Sequence, residues 1–425
     1  MKLLSSALAL STALFVGSAF AWEATPGRPY DGQTIHALIV KSSQFEAHEA
    51  RMVAFEEATG IDVVIDYVPF PNMKEALTAE MVGGAGDYDV VSIMDGWVSS
   101  LKNLIDPIDE GIAAQGTDLS DFPAAHLRHG YIDGQLHGLP VRGHVQLLFY
   151  RQDILDQAGV KPPTTWTEVV EAGKAVQAAS DLAGIALPYG KLNGQNLQVW
   201  INLLWGHGGD LFGKDGEPVF NSEAGVAATQ QFIDLLLKHE IVPTGAAAYV
   251  EQDAVNSFKQ GNSAMLPLWW WVRSQLTDPE ESTVTDEQLG VVALPSVAGA
   301  ERTTFTNTWI FGVTEGSRNR DAAIEYLGWL TDPAIERDVL LDKNLNETVA
   351  VHFSNLRDPE VNARWGGIHQ AAADALATAP GMGFDADWPR ISEILENAIS
   401  SLASGGSDDV SGVLDAAAEE ISRIR

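Results

Sequence analysis

Residues 134–171 constrain the fold more than any other part of this sequence, because several local signals follow one another there. After a polar turn, an apolar run at 145–150 is rich in β-branched, aromatic and leucine residues, which is typical of a buried strand. A helical segment then ends at Gly159, and two prolines prevent its continuation. Thr165 and Glu168 have the spacing of a capping box at the start of a second helix. The stretch therefore predicts one buried strand followed by two helices.

The first hundred residues alternate between predicted strands and predicted helices. The apolar run at 34–40 predicts a buried strand. The β-branched run at 61–68 and the run at 88–94 predict two further strands, and helical segments separate the three. This alternation is typical of an open parallel sheet wound with helices. Ligands of such sheets bind beyond the carboxyl ends of the strands, so residues 42–46 and 95–97 are candidate site segments.

The first 21 residues have the features of a cleavable secretory signal. Lys2 is followed by an apolar run at 3–16 and by an Ala-Phe-Ala sequence that ends at residue 21. We therefore expect the mature chain to begin at Trp22. The length of 425 residues favours two domains.

Composition and motifs disfavour several classes of function. The sequence has no cysteine, which excludes disulfides, zinc–thiolate sites, thiol catalysis and a lipoprotein anchor. The net charge of -32 and the lack of a basic cluster argue against binding of nucleic acid or anionic lipid. Phosphate-loop, dinucleotide-binding and G-x-S-x-G motifs are absent. We predict that the protein is not an enzyme and has no catalytic residues, no cofactor and no metal site.

The order of motifs from residue 134 onward resembles the signature region of family 1 extracellular solute-binding proteins. These proteins are the receptors of ABC importers for sugars and related compounds. Their motifs are a G-x-x-Y-x-x-P turn, a Y-N/R-x-D-x-L-x-x-A-G helix and a P-P-x-T-W-x-E helix start. The matching residues here are Gly138-Leu139-Pro140, Tyr150-Arg151-Gln152-Asp153-Ile154-Leu155, Ala158-Gly159 and the residues 162–168. The resemblance extends over almost all of the mature chain.

This resemblance implies an α/β fold of the two-lobed periplasmic-binding-protein type. Each lobe would be an open, mostly parallel sheet flanked by helices, and a hinge would join the two. The N-terminal lobe would comprise residues 22–142 and 305–342, and the C-terminal lobe residues 143–304 and 343–425. The function implied is capture of a sugar or polyol between the lobes and delivery to a membrane permease.

Tryptophans are the first candidates for contact with such a ligand. Trp269, Trp270 and Trp271 end an apolar strand, where successive side chains point to opposite faces, so at least one faces an opening. Flat aromatic faces pack on the C–H faces of sugar rings. The resemblance also places Trp309, at the second crossing between lobes, against the ligand, and Trp97 is a further candidate. The alternative for each tryptophan is packing in a core.

Polar candidates follow from the resemblance as well. It implies that Asp95 accepts hydrogen bonds from ligand hydroxyls, because an ionised carboxylate can accept but not donate. The alternative is a solvated turn aspartate. Gln44 matches a polar ligand position, Asn307 precedes Trp309 at the second crossing, and Tyr189 is expected to face the cleft.

Arg142 and His144 lie at the first predicted crossing between lobes, where the family often has an acidic or small residue instead of the histidine. Both side chains can donate hydrogen bonds to ligand oxygens, and Arg142 can bind a carboxylate or phosphate in bidentate fashion. An ion pair between the lobes is the alternative role.

The sequence therefore predicts a periplasmic, monomeric substrate-binding protein of an ABC importer for a sugar or polyol. Its partners would be the small ligand and the permease subunits, with no nucleic acid. The alternatives are a binder of an anionic sugar derivative or another small polar solute, and a secreted glycoside hydrolase.

Overall fold

A computed structural model describes residues 22–84, 86–346, 349–383 and 387–425. The predicted signal at residues 1–21 lies outside the described residues. Within the described ranges, every helix is too short or too polar to cross a lipid bilayer.

The strands found in the described ranges are β1 (Thr34–Val40), β2 (Asp62–Val68), β3 (Val90–Met94), β4 (Tyr131–Ile132), β5 (Gln135–Leu136), β6 (Leu139–Arg151), β7 (Ala183–Ile185), β8 (Ser263–Trp269), β9 (Leu289–Ala293) and β10 (Thr306–Val313). The helices are α1 (Ser43–Glu49), α2 (Met52–Thr59), α3 (Phe70–Gly83), α4 (Asp95–Leu101), α5 (Asp109–Gln115), α6 (Ala124–Leu127), α7 (Gln152–Ala158), α8 (Trp166–Ala179), α9 (Leu197–Gly206), α10 (Glu223–Leu237), α11 (Glu251–Lys259), α12 (Arg273–Leu276), α13 (Arg320–Leu330), α14 (Pro333–Leu340), α15 (Phe353–Leu356), α16 (Pro359–Arg364), α17 (Ile368–Leu376), α18 (Trp388–Ala403) and α19 (Val410–Ser422).

The local signals of the 134–171 stretch are confirmed. The apolar run lies inside β6, and Gly159 ends α7 with a left-handed φ of 71°. The capping box of α8 is formed in both directions, with the Thr165 hydroxyl accepting from the Glu168 N–H and the Glu168 carboxylate accepting from the Thr165 N–H. The two candidate site segments, residues 42–46 and 95–97, lie at the starts of helices α1 and α4.

The main sheet has the strand order β2-β1-β3-β10-β6-β8-β7, and β9 also pairs with β6. Strand β1 is parallel to β2 and β3, and β7 is parallel to β8. Every antiparallel pair of this sheet involves β6 or β10, the two strands at its centre. The α/β class is confirmed, with parallel strands on each side of two antiparallel ones.

Two separate hydrophobic cores give the molecule its two lobes. One core contains buried residues from 35–141 and 309–330, and the other contains buried residues from 145–305 and 339–421. Strand β6 begins in the first core and continues into the second, and β10 connects the cores in the opposite direction. The stretches of β6 and β10 where the cores change are therefore two connections between the lobes, and the chain passes between the cores again between residues 330 and 339.

Candidate ligand-binding site

Four predicted site residues meet on one face of the two connecting strands. In the antiparallel pair β6–β10, Arg142 lies opposite Trp309 and His144 lies opposite Asn307. Side chains of opposite residues share a face, as do side chains two positions apart on one strand. The contact of 3.1 Å from Arg142 Nε to His144 Nε2 agrees with this placement. We call these four residues the crossing floor.

Three aromatic rings form the wall of the N-terminal lobe beside this floor. Trp97 and Trp309 meet edge to face at 5.6 Å between ring centroids, and Phe70 stacks on Trp97 at 5.8 Å. Trp309 is only 4% exposed, whereas Phe70 is 53% exposed. Phe70 therefore presents the open face of this N-lobe aromatic wall. The sequence analysis missed Phe70, although its place just after β2, where parallel strands end, is a signal that can find such a residue.

A second group of aromatic rings lies on the side of the C-terminal lobe. Trp269, at the end of β8, lies 5.8 Å from Phe305 and 6.3 Å from the His144 ring, measured between centroids. Trp205 stacks on Phe305 at 6.3 Å. The partly buried Trp205, and Trp271 just after β8, belong to the surroundings of the C-terminal core. The floor is thus flanked by aromatic rings from both lobes.

Glu251, at the start of α11, adds a carboxyl group to this side that the sequence analysis did not identify. Burial raises the pKa of Glu251 to about 7, and the nearby Trp269 indole partly offsets that increase. The group is therefore poised between its charged and neutral forms near neutral pH.

Two of the predicted site residues are completely buried in the C-lobe core. Trp270 is fully buried and its indole Nε1 donates to the Gly143 carbonyl at 3.2 Å. Tyr189 is also fully buried, because its ring stacks on Phe232 at 4.5 Å and its hydroxyl donates to the Phe232 carbonyl at 2.9 Å. The expectation that Tyr189 faces the cleft is therefore wrong.

Asp95 is buried and its carboxylate is already hydrogen-bonded. It accepts from the N–H of Gly96 at 2.7 Å, from Asn307 Nδ2 at 2.7 Å and from the N–H of Thr308 at 2.8 Å. With 2% exposure it is not a solvated turn aspartate. Burial raises the pKa of Asp95 to about 7 against the lowering effect of these three bonds. Its observed role is to connect α4 to β10.

Gln44 is buried in α1 with a fixed amide orientation. Its Nε2 donates to the Val141 carbonyl at 3.0 Å, while its Oε1 has no hydrogen-bond partner in the described part of the chain. The remaining polar atom available there is an acceptor.

No cluster of His, Asp and Glu in the described ranges has an arrangement that fits a metal ion. Contact of any of these residues with a ligand stays a prediction.

A polar and aromatic surface thus lies where two strands connect the two α/β lobes, an arrangement that can hold a small molecule between them. A family model described as bacterial extracellular solute-binding protein matches residues 32–336. A probable amino-acid ABC transporter periplasmic-binding protein of Sinorhizobium fredii is 30% identical over 407 residues, covering 92% of this chain and 90% of the relative. The chain belongs to the family of bacterial extracellular solute-binding proteins, the substrate-binding components of ABC transporters, as its motifs predicted.

Solved structures share the fold. Maltose-bound MalE3 of T. maritima aligns with a TM-score of 0.74 at 20% identity, over 92% of this chain and 100% of that one. A solute-binding protein of Agrobacterium radiobacter K84 in complex with ribitol aligns with a TM-score of 0.72 at 23% identity, over 93% and 100%. The mannitol-binding protein of Pseudomonas aeruginosa is a sequence relative, 23% identical over 318 residues, with 71% of this chain and 70% of that protein covered.

Proposed function

We propose that the protein captures a sugar or polyol in the cleft between its lobes and delivers it to the permease of an ABC importer. The observation that carries this proposal is the crossing floor, a polar surface flanked by aromatic rings from both lobes. A polyhydroxylated ligand matches such a surface, because its C–H faces pack on aromatic rings while its hydroxyls form hydrogen bonds. Two structural neighbours with ribitol and maltose bound support the same ligand class.

The proposed mechanism is a shift between open and closed forms, in which no covalent bond changes. Residues around 142–145 of β6 and 305–309 of β10 would act as the hinge, because the chain passes there from one core to the other. A ligand that contacts both lobes binds the closed form more tightly and so raises its population. We propose that the protein acts as a monomer in the periplasm, after cleavage of residues 1–21.

A second candidate is an anionic sugar derivative, because Arg142 brings a permanent positive charge to the crossing floor. An amino acid is a related candidate, since the relative from Sinorhizobium fredii carries that description. Both ligands carry an anionic group that can pair with the Arg142 guanidinium.

Isothermal titration calorimetry of the protein from Trp22 onward tests these candidates together. The panel contains ribitol, D-mannitol, maltose, sugar acids and amino acids, with small-angle scattering to detect compaction. Micromolar or tighter binding of a neutral compound with a smaller radius of gyration is the expected result. Binding of acids alone would favour the second candidate. Turnover of a glycoside substrate, measured in parallel, would contradict a transport role without catalysis.

A further inference from the structure

The contact with Arg142 determines which nitrogen of the His144 ring carries a proton. The guanidinium of Arg142 has only donors, and its Nε lies 3.1 Å from His144 Nε2. Nε2 must therefore accept this hydrogen bond. A ring nitrogen that accepts a hydrogen bond carries no proton.

The charge of the ring follows from its surroundings. Burial holds the pKa of His144 well below its ordinary value, and the positive charge of Arg142 and the neighbouring His126 lower it further. His126 contacts the His144 carbonyl through Nε2 at 3.3 Å, while Asn307 and Trp269, the neighbours on β10 and β8, are uncharged. The imidazole is therefore neutral at neutral pH, and its single proton is on Nδ1.

This Nδ1–H is a buried donor that lacks a hydrogen-bond partner. His144 is 6% exposed, and among the described residues Nδ1 has no acceptor. A buried polar group without a partner is unfavourable, and the great majority of such groups in proteins are satisfied. His144 belongs to the crossing floor, beside the Trp269 ring, where the proposed function puts the ligand.

We infer that His144, held as the Nδ1–H tautomer by Arg142, determines specificity by donating to a hydroxyl or ether oxygen of the ligand. This inference rests on the proposed function. It identifies the protein atom that recognises the ligand and the kind of ligand atom that is recognised. A ligand that presents an ammonium group at this position is rejected, since two donors then face each other beside the charge of Arg142. The site thus distinguishes a polyol or sugar from an analogue with an amine at the same carbon.

Variants of His144 test the donation. The probe is whichever of ribitol, D-mannitol and maltose binds the wild type most tightly. His144→Phe keeps a planar ring without a donor, and its dissociation constant is expected to rise about 10- to 100-fold. His144→Asn places an amide N–H near the former Nδ1, and its affinity is expected to stay within about fivefold of wild type. His239→Phe, at a partly buried histidine after α10, is the control and leaves the affinity unchanged.

The tautomer is tested separately on the ligand-free protein. Long-range ¹H–¹⁵N correlation spectra, with His144→Asn to assign the signal, are expected to show a neutral ring protonated at Nδ1. An Nε2–H signal, or wild-type affinity of His144→Phe, would overturn the inference. If no neutral probe binds the wild type, the proposed ligand class and the donation to it are both refuted, while the spectrum still decides the tautomer.

Discussion

The backbone N–H of Thr308 donates a 2.8 Å hydrogen bond to the carboxylate of Asp95, although 213 positions separate the two residues in the chain. The side chain of Asn307 donates to the other carboxylate oxygen at 2.7 Å. Since Asp95 begins α4 and Thr308 lies where β10 passes between the cores, one carboxylate joins the N-terminal lobe to the proposed hinge. This bond makes Asp95 a part of the connection between the lobes.

Asp95→Ala is therefore expected to destabilise the fold and not only to weaken ligand binding. Removal of the carboxylate leaves the buried N–H of Thr308 without its acceptor, which costs about 1–3 kcal/mol in free energy of unfolding. Urea unfolding of the mature protein measures the change. Wild-type stability combined with a large loss of affinity would instead support direct contact of Asp95 with the ligand.

The stability of the protein is also expected to depend on pH because of Asp95. Its pKa is about 7 in the folded protein and near 3.8 when unperturbed, so between these values the folded state holds a proton that the unfolded state has lost. The free energy of unfolding contributed by this group therefore falls as pH rises from about 4 to about 7. Urea titrations across that range measure the unfolding free energy of wild type and of Asp95→Asn. The difference between the two removes the contribution of the histidines, which titrate in both proteins. A difference that does not change with pH would show that the carboxyl is ionised throughout.

The residues of the crossing floor could be predicted because the family resemblance assigns them to the two crossings between the lobes. Arg142 and His144 come just before the apolar run of β6, and Asn307 and Trp309 lie in β10. The pairing of Asp95 with Asn307 and Thr308 was not accessible in this way, since these two residues belong to a strand more than two hundred positions away in the chain. Tyr189 was misplaced because β7 ends at Ile185, so strand alternation no longer determines the direction of its side chain.

Phe70 is expected to contribute to ligand affinity with little effect on stability. Its ring is 53% exposed and stacks on Trp97, so Phe70→Ala removes an open aromatic face and not a core side chain. The loss of binding energy should be about 0.5–1.5 kcal/mol, as for other aromatic contacts. Calorimetry, with whichever compound of the panel binds the wild type, measures the change in affinity. Thermal unfolding measures the change in stability. Leu237→Ala, at a similarly exposed apolar residue on α10 with 51% exposure, is the matched control.

Gly143 allows β6 to pass close to His126 where the chain connects the lobes. A Cβ atom at Gly143 would lie 2.4 Å from Cε1 and 2.5 Å from Nδ1 of the His126 ring, which is too close for any side chain. Gly143→Ala must therefore move the ring or the strand, and we expect a loss of about 1–3 kcal/mol in unfolding free energy. Ligand affinity should fall as well, because the adjacent residue His144 belongs to the crossing floor.

A double-mutant cycle separates this steric effect from a general effect of alanine in place of glycine. His126→Ala removes the ring that the new methyl group meets, so the double variant should lose less stability than the sum of the two single losses. Gly383→Ala is the control for the exchange itself, since among the described residues its Cβ would approach no atom closer than 3.7 Å. Additive losses in the cycle would mean that Gly143 matters for backbone freedom alone. A non-additive result would identify the close approach of His126 as the reason that this position of the hinge is a glycine.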